Sequence, residues 1–292
     1  MKTEKIEISH PDKILFPQAE LTKADIASYY KRIADYMLPH IKDRPLTLRH
    51  YPHGIDESGF FHKHAPDHFP EFVERLDVSM KSKGGENMKM ASADEAADLV
   101  YFAGQNVIEQ HMGLARKKDL EIPDQIIFDL DPSDNDFEKV RKTAFALKVI
   151  LDERDLPSFL KTTGSRGVHI HIPIKPEKKF DEVKKAVRKL AEELCDECPD
   201  LTTLESRKKK RGDKVFIDYL RNDYGMTAIA PYSLRALKGA PIATPIDWEE
   251  LKDRELGPQN YTLENIFRRL PQKADPWKKF YSQAVKLGNF TI

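Results

Sequence analysis

The chain of 292 residues carries 48 Lys and Arg against 48 Asp and Glu, 10 His and two Cys, so a charged fraction of 33% still leaves a formal net charge of zero. At 40% hydrophobic residues it has the material for a core, which excludes a disordered chain. No apolar run reaches the roughly 20 residues of a membrane helix, the start MKTEKIEISH lacks a secretory apolar stretch, and Cys195 and Cys198 are too few for a disulfide framework. The expectation is a soluble, non-secreted chain with no membrane partner. A neutral balance offers no general attraction for polyanions, so any such partner must be held by local patches.

In chain order, Thr22 and Asp25 form a T-x-x-D capping box before KADIASYYKRIADYM, where Ile26, Tyr29, Tyr30 and Ile33 recur at helical spacing. Pro39 is expected to end that helix. Residues 44–76, with RPLTLRHYP and SGFFHKH, read as strands and loops, and Ser79–Lys89, with Gly84 and Gly85 adjacent, reads as a mobile loop. IIFDLD at 126–131 lies between Pro123 and Pro132 and predicts a strand. A helix from about Asp136 to Arg154 follows, with Val140, Ala144, Leu147 and Leu151 on one face. VHIHIPI is the next strand, Phe180–Cys195 a helix and KVFIDYL a third strand. Strands alternating with long helices indicate an α/β or α+β sheet domain without repeats or a linker.

Strand alternation puts Ile127, Asp129 and Asp131 on one face and Ile126, Phe128 and Leu130 on the other, with the two acids about 7 Å apart along the strand. In the second strand His169 and His171 oppose Val168, Ile170, Ile172 and Ile174, and in the third Asp218 interrupts VFI-YL. If the polar faces coincide, three carboxylates and one or two imidazoles converge. Such carboxylates repel unless they share a cation, and oxygen ligands favour Mg²⁺ or Mn²⁺. Two ions of this kind suit in-line phosphoryl displacement. An isolated D-x-D is more often a strand-end feature, and Asp134 and Asp136 read as helix caps. An EF-hand is excluded, because Asp134 and Val140 stand where its Gly and Glu are required.

The turn TTGSRG offers two glycines, hydroxyls and Arg166 immediately before a strand, a composition that suits phosphate oxygens. It lacks the G-x-x-x-x-G-K pattern of a Walker A loop. With His169 beside it on the acidic face, a triphosphate seat is the stronger reading.

The runs HPDKILFP, ELTKADIASYY, RPLTLRHYP, GFFHKH, NVIEQH, IIFDLDP, TTGSRGVHIHIPI, SRKKKRGDKVFIDYLRN, TAIAPYSLRA and GAPIATPIDWEEL, in this order over nearly the whole chain, resemble the archaeo-eukaryotic primase superfamily. They resemble in particular the polymerase domain of the bacterial DNA ligase D family of nonhomologous end joining. The resemblance implies a primase-type α+β core with a mainly antiparallel or mixed sheet flanked by helices. It also implies one polymerase domain over residues 1–292, without ligase or phosphoesterase modules, in a cytoplasmic, nucleoid-associated protein.

By the same resemblance Asp129, Asp131 and Asp218 are the catalytic metal ligands for two Mn²⁺ or Mg²⁺ ions, and Thr163, Ser165, Arg166 and His169 hold the nucleotide triphosphate. Arg235 and His111 contact nucleotide or ribose, Phe60 and Phe61 are base-stacking aromatics, and Lys13 and Lys23 form a pocket for a downstream 5′-phosphate. From pattern alone, paired Phe is more often core and His111 an ordinary histidine. Thr163 departs from the Ser, and Arg166 from the Lys, common in the family; the donors remain. The Arg207–Arg211 run and the Gly84, Gly85 loop resemble family loops that approach nucleotide or DNA, although a solvated surface is the plainer reading of either. Cys195-x-x-Cys198 has no second cysteine pair and is expected to be structural or incidental rather than a zinc or redox site.

The implied activity is template-directed nucleotidyl transfer that prefers ribonucleotides, takes NTP or dNTP, and fills short gaps or extends broken DNA ends bearing a downstream 5′-phosphate. A separate DNA ligase and Ku are the implied partners. Rival readings are a primase that starts chains de novo, a DNA-end-bridging module with minor catalysis, and a two-metal nuclease, to which TTGSRG and the Phe pair are less suited.

Overall fold

A computed structural model of the chain describes residues 6–80 and 86–290. Its packing divides into two compact units, the first comprising Met1–Lys118, Thr227–Ala243 and Thr262–Glu264, the second Asp119–Met226, Thr244–Tyr261 and Asn265–Ile292. Among the described residues no helix is long and apolar enough to cross a membrane.

In the first unit, strands β1 (Ile14–Phe16) and β2 (Leu21–Thr22) pair antiparallel and lead into helix α1 (Lys23–Ile41). The capping box is present: the Thr22 hydroxyl accepts from the Asp25 amide at 3.2 Å, and the Asp25 carboxylate accepts from the Thr22 amide at 2.8 Å. The expected end at Pro39 is corrected, because the helix continues through it to Ile41. Pro39 forfeits one amide donor near the helix end. Burial of Met37 and Ile41 on either side offsets that loss.

Strands β3 (Leu46–His50), β4 (Phe60–His62), β5 (Arg75–Met80) and β6 (Glu86–Ala91), helix α2 (Ala96–Gly104) and strand β7 (Val107–Gly113) follow. The sheet runs β7-β3-β6-β5, with β4 on β3, and α2 packs against α1. The expectation of a loop over Ser79–Lys89 is corrected for its described residues, since β5 and β6 pair from Arg75–Ala91 to Met80–Glu86. Alternation explains it: Leu76 and Val78 lie opposite Met90 and Met88, giving the hairpin an apolar face. Gly84 and Gly85 lie outside the described residues.

The second unit begins with β8 (Gln125–Pro132), α3 (Phe137–Asp152), β9 (Phe159–Thr162), β10 (Val168–Pro173), α4 (Phe180–Glu197), β11 (Thr202–Thr203) and β12 (Val215–Asp218). Strand β13 (Thr227–Ile229) returns to the first unit and pairs with β7, while β14 (Pro245–Ile246) joins the second sheet. The second sheet has the order β11-β12-β8-β10-β9-β14, antiparallel except for β11 with β12.

One face of that sheet carries Ile126, Phe128, Leu130, Val168, Ile170 and Ile172 into a core closed by Val140, Ala144, Leu147 and Leu151 of α3 and Val183, Val187, Leu190 and Leu194 of α4. The expected apolar faces therefore lie where alternation and helical spacing put them. Asp136 caps α3 by accepting from the Glu138 amide at 2.9 Å, and Asp134 binds the Asp136 amide and Lys139. Cys195 and Cys198 are free thiols at the end of α4, partly packed on this core, and burial raises both above the usual thiol range.

Candidate active site

The opposite face of the second sheet collects the polar groups. Register pairs Asp218 with Asp129 and Asp129 with His169, so the three expected strands do bring their polar faces together. Cross-strand partners share a face, and Asp131 lies two residues along β8 on the same side. Asn222 holds this part of β8 in place: its buried amide accepts from the Ile127 N–H at 2.8 Å and donates to the Ile127 carbonyl at 2.7 Å, replacing a ladder partner.

Each carboxylate meets a cationic group. Arg221 approaches Asp218 at 3.1 Å and Asp129 at 3.7 Å, and His169 Nε2 lies 3.4 Å from Asp129. Arg166 Nη2 donates to one oxygen of Asp131 at 2.7 Å, and Arg211 Nη1 to the other at 3.2 Å. Arg211 belongs to the Arg207–Arg211 run, yet it turns inward and lies over the Phe216 ring at 3.9 Å, whereas Lys208, Lys209 and Lys210 are exposed. Burial and the Asp129 charge push the Asp218 carboxyl above its ordinary range, against the opposing pull of Arg221. The repulsion between the partly buried Asp129 and Asp218 is what a divalent cation would relieve in exchange for their arginine contacts, and the all-oxygen donor set fits Mn²⁺ or Mg²⁺.

Among the described residues, the acids whose ligand oxygens all lie within 4.8 Å of one another are a different trio in the first unit, Asp43, Glu74 and Asp94. There Lys117 Nζ already sits 2.7 Å from Asp43, 3.1 Å from Glu74 and 3.8 Å from Asp94. Hydrogen bonds to Asp43 and Glu74 raise the Lys117 ammonium above its ordinary pKa. This trio is therefore an ion-paired clasp around Lys117.

The TTGSRG turn is built by its own first residues. Gly164 adopts the left-handed conformation, and the buried Thr163 hydroxyl accepts from the amides of Ser165 and Gly167, each at 3.2 Å, while donating to the Gly167 carbonyl at 3.0 Å. Thr163 thus shapes the turn from inside. The Ser165 carbonyl accepts from the Gln259 side-chain amide at 2.8 Å.

In the first unit, the side chains expected to contact nucleotide converge on one acid that sequence reasoning passed over. Glu109, 2% exposed, lies 3.1 Å from His111 Nε2, 3.2 Å from Arg235 Nε and 3.4 Å from Arg49 Nη1. Burial opposes its ionisation, but the His111 hydrogen bond, the Arg235 and His111 charges and the Ala236 amide outweigh it and hold the carboxyl well below the usual range. The available signal was E-Q-H itself, whose first and third residues must share a strand face.

Phe60 and Phe61 are both exposed, at 44% and 53%, which overturns the core reading of the pair. They point to opposite sides of β4. Phe61 lies beneath Arg49 at 4.9 Å and edge-on to His111 at 5.4 Å, and Phe60 stacks on His50 with an interplanar angle of 5°.

Lys13 and Lys23 are neighbours, linked by a backbone hydrogen bond of 2.8 Å. Their ammonium groups donate to the carbonyls of Pro52 and Ser9, respectively, and among the described residues neither is paired with a carboxylate. Lys23 is buried, and burial together with the Lys13 charge lowers its pKa.

The row of acids on an antiparallel sheet, with a basic turn at the end of the adjacent strand, lies in a primase-type fold. A family model described as LigD, primase-polymerase domain, matches residues 22–277, and the chain belongs to that family. The bifunctional non-homologous end joining protein LigD of Bacillus subtilis is 32% identical over 95% of this chain and 44% of its own length. The multifunctional LigD protein of Mycolicibacterium smegmatis is 31% identical over 93% of this chain and 35% of its own length. The chain thus spans less than half the length of these relatives. The polymerase domain of Mycobacterium tuberculosis ligase D, solved in complex with DNA, superposes with a TM-score of 0.88 at 28% identity, over 96% of this chain and 99% of that one.

Proposed function

We propose that the protein is a template-directed nucleotidyltransferase that extends a primer 3′-OH at short gaps and broken DNA ends during nonhomologous end joining. The observation that carries this reading is the registered row of Asp218, Asp129 and His169, with Asp131 and Arg166 at its edge. Asp129, Asp131 and Asp218 would hold two Mn²⁺ or Mg²⁺ ions. Ions held there would supply activation for the attacking hydroxyl and charge stabilisation for the leaving pyrophosphate.

The chain's own groups bind and orient. Arg166 and the Ser165 hydroxyl provide donors for a triphosphate on a turn whose Ser165 and Gly167 amides are held by Thr163, and His169 directs a ring nitrogen toward Asp129. In the first unit, Arg235 and Arg49, with the His111 ring between Glu109 and Phe61, form a basic cluster suited to nucleotide phosphate or ribose, and the exposed Phe61 offers a face for a base. Lys13 and Lys23, not neutralised by carboxylates among the described residues, suit a downstream 5′-phosphate. Preference for ribonucleotides, and assembly with Ku and a separate DNA ligase, belong to the same proposal and rest on family membership.

The test is primer extension on a 5′-phosphorylated gap with Mn²⁺, comparing NTP with dNTP. Asp129→Ala is expected to lower extension by more than about a hundredfold. Unchanged extension in that variant would remove the catalytic assignment.

A further inference from the structure

The row of side chains on the polar face of the second sheet does not stop at His169. Strand register places Lys161 of β9 opposite His169, so that acid, acid, imidazole and ammonium succeed one another across β12, β8, β10 and β9. Lys161 is fully buried, with Pro245 of β14 as its partner on the far side. Burying an ammonium is costly, and it persists where its donors are used.

The contact it makes is directional. Lys161 Nζ lies 3.2 Å from His169 Nδ1, and the other ring nitrogen, Nε2, lies 3.4 Å from Asp129 Oδ1. An ammonium has three donors and no acceptor, so this contact is favourable only when Nδ1 carries a lone pair. The ring proton then sits on Nε2, on the Asp129 side. A hydrogen on Nδ1 would instead oppose the Lys161 hydrogens and leave Nε2 facing a carboxylate lone pair to lone pair. His171, on the same strand face, has its Nδ1 3.0 Å from the Gln125 side-chain oxygen.

We propose that Lys161 is a positioning residue for nucleotidyl transfer: it fixes His169 in the tautomer and orientation that present Nε2–H to Asp129 and to a triphosphate on the TTGSRG turn. The role in transfer rests on the polymerase reading above; the hydrogen-bond assignment does not. The arrangement is an orienting partner behind a ring whose far nitrogen does the work, the logic by which second partners set histidine tautomers at metal and catalytic sites.

Nitrogen-15 ring correlation spectra of the nucleotide-free full chain test the assignment directly. The expected result is a protonated Nε2 and bare Nδ1 for His169 in the wild type, lost to a tautomer mixture in Lys161→Met. An Nδ1-protonated His169 in the wild type would overturn the inference, and this measurement needs no variant to fold. In steady-state extension, Lys161→Met is expected to lower kcat by about tenfold to a hundredfold with nucleotide KM within about threefold, and Lys161→Arg, which restores a donor, to recover most of it. Wild-type kcat in a folded Lys161→Met protein would equally overturn it. A wild type that extends no primer sinks the polymerase reading instead, whatever the tautomer.

Discussion

At the scale of single residues, the site is held by buried ions whose partners are side chains from other strands and loops. Glu109 anchors Arg49, His111 and Arg235, and replacing it with Gln leaves two guanidinium groups and an imidazole around a neutral amide. Glu109→Gln is expected to destabilise the protein by about 3 kcal/mol, as removal of one partner from a buried ion pair does, measured by urea unfolding at pH 7. A change below about 0.5 kcal/mol would show that water replaces the carboxylate. Because its folded pKa is depressed below 4.5, the Glu109 contribution is fully present above that pH and is lost as pH falls through the folded value. Asp129, Asp131, Asp218 and His169 were legible from alternation, since each breaks an apolar strand pattern. Glu109, Lys161, Arg221 and Asn222 were not. A buried lysine or glutamate is rare enough that a sequence argues for exposure, and only cross-strand register reveals the partner that makes burial tolerable.

Among elements, the critical junction is the passage from the TTGSRG turn into β10. Gly164 has a φ of 62°, which L side chains resist, and an alanine there costs about 1 kcal/mol. Gly167 is needed for a different reason: a methyl group at its Cα would run into the carbonyl oxygen of Leu130 on β8. Relief requires β10 to move off β8 where His169 meets Asp129. Gly167→Ala is therefore expected to cost about 3 kcal/mol and to reduce extension more than Gly164→Ala, read from thermal unfolding and primer extension on the same preparations. Equal effects of the two substitutions would contradict the close-approach argument. The strands and helices of the second unit were readable because each has one clean apolar face. The first unit was harder, since His and Pro blur its strands, and Pro39 was read as a stop when packing of Met37 and Ile41 carries the helix past it.

For the whole molecule, the neutral total of 48 against 48 is shared by two units whose sequences interleave. The interleaving was illegible, because a segment such as 227–243 carries no mark of the unit it rejoins. It has a consequence for acid stability. In the first unit, burial and the Arg44 and Arg116 charges lower the His40 pKa to about 3. Burial, with His62 and His68 nearby, lowers His50 to about 4 against the Gln105 carbonyl hydrogen bond. Both folded values lie below the ordinary 6.5, so on acidification the unfolded chain takes up these protons first. Stability then falls below pH 6.5, by up to about 1.4 kcal/mol per pH unit for each residue, until about pH 4 for His50 and about pH 3 for His40. From pH 7 to pH 5 the two together remove about 4 kcal/mol from the first unit. Asp218 in the second unit has the opposite sign, because a raised carboxyl pKa makes the folded state the better proton binder. Hydrogen exchange, corrected for the intrinsic effect of pH, should therefore show α1, β3 and β7 losing protection at pH 5 before β8 and β10 do. Replacing His40 and His50 with Phe should flatten that difference, and simultaneous loss of protection in both units of the wild type would refute the assignment to these two imidazoles.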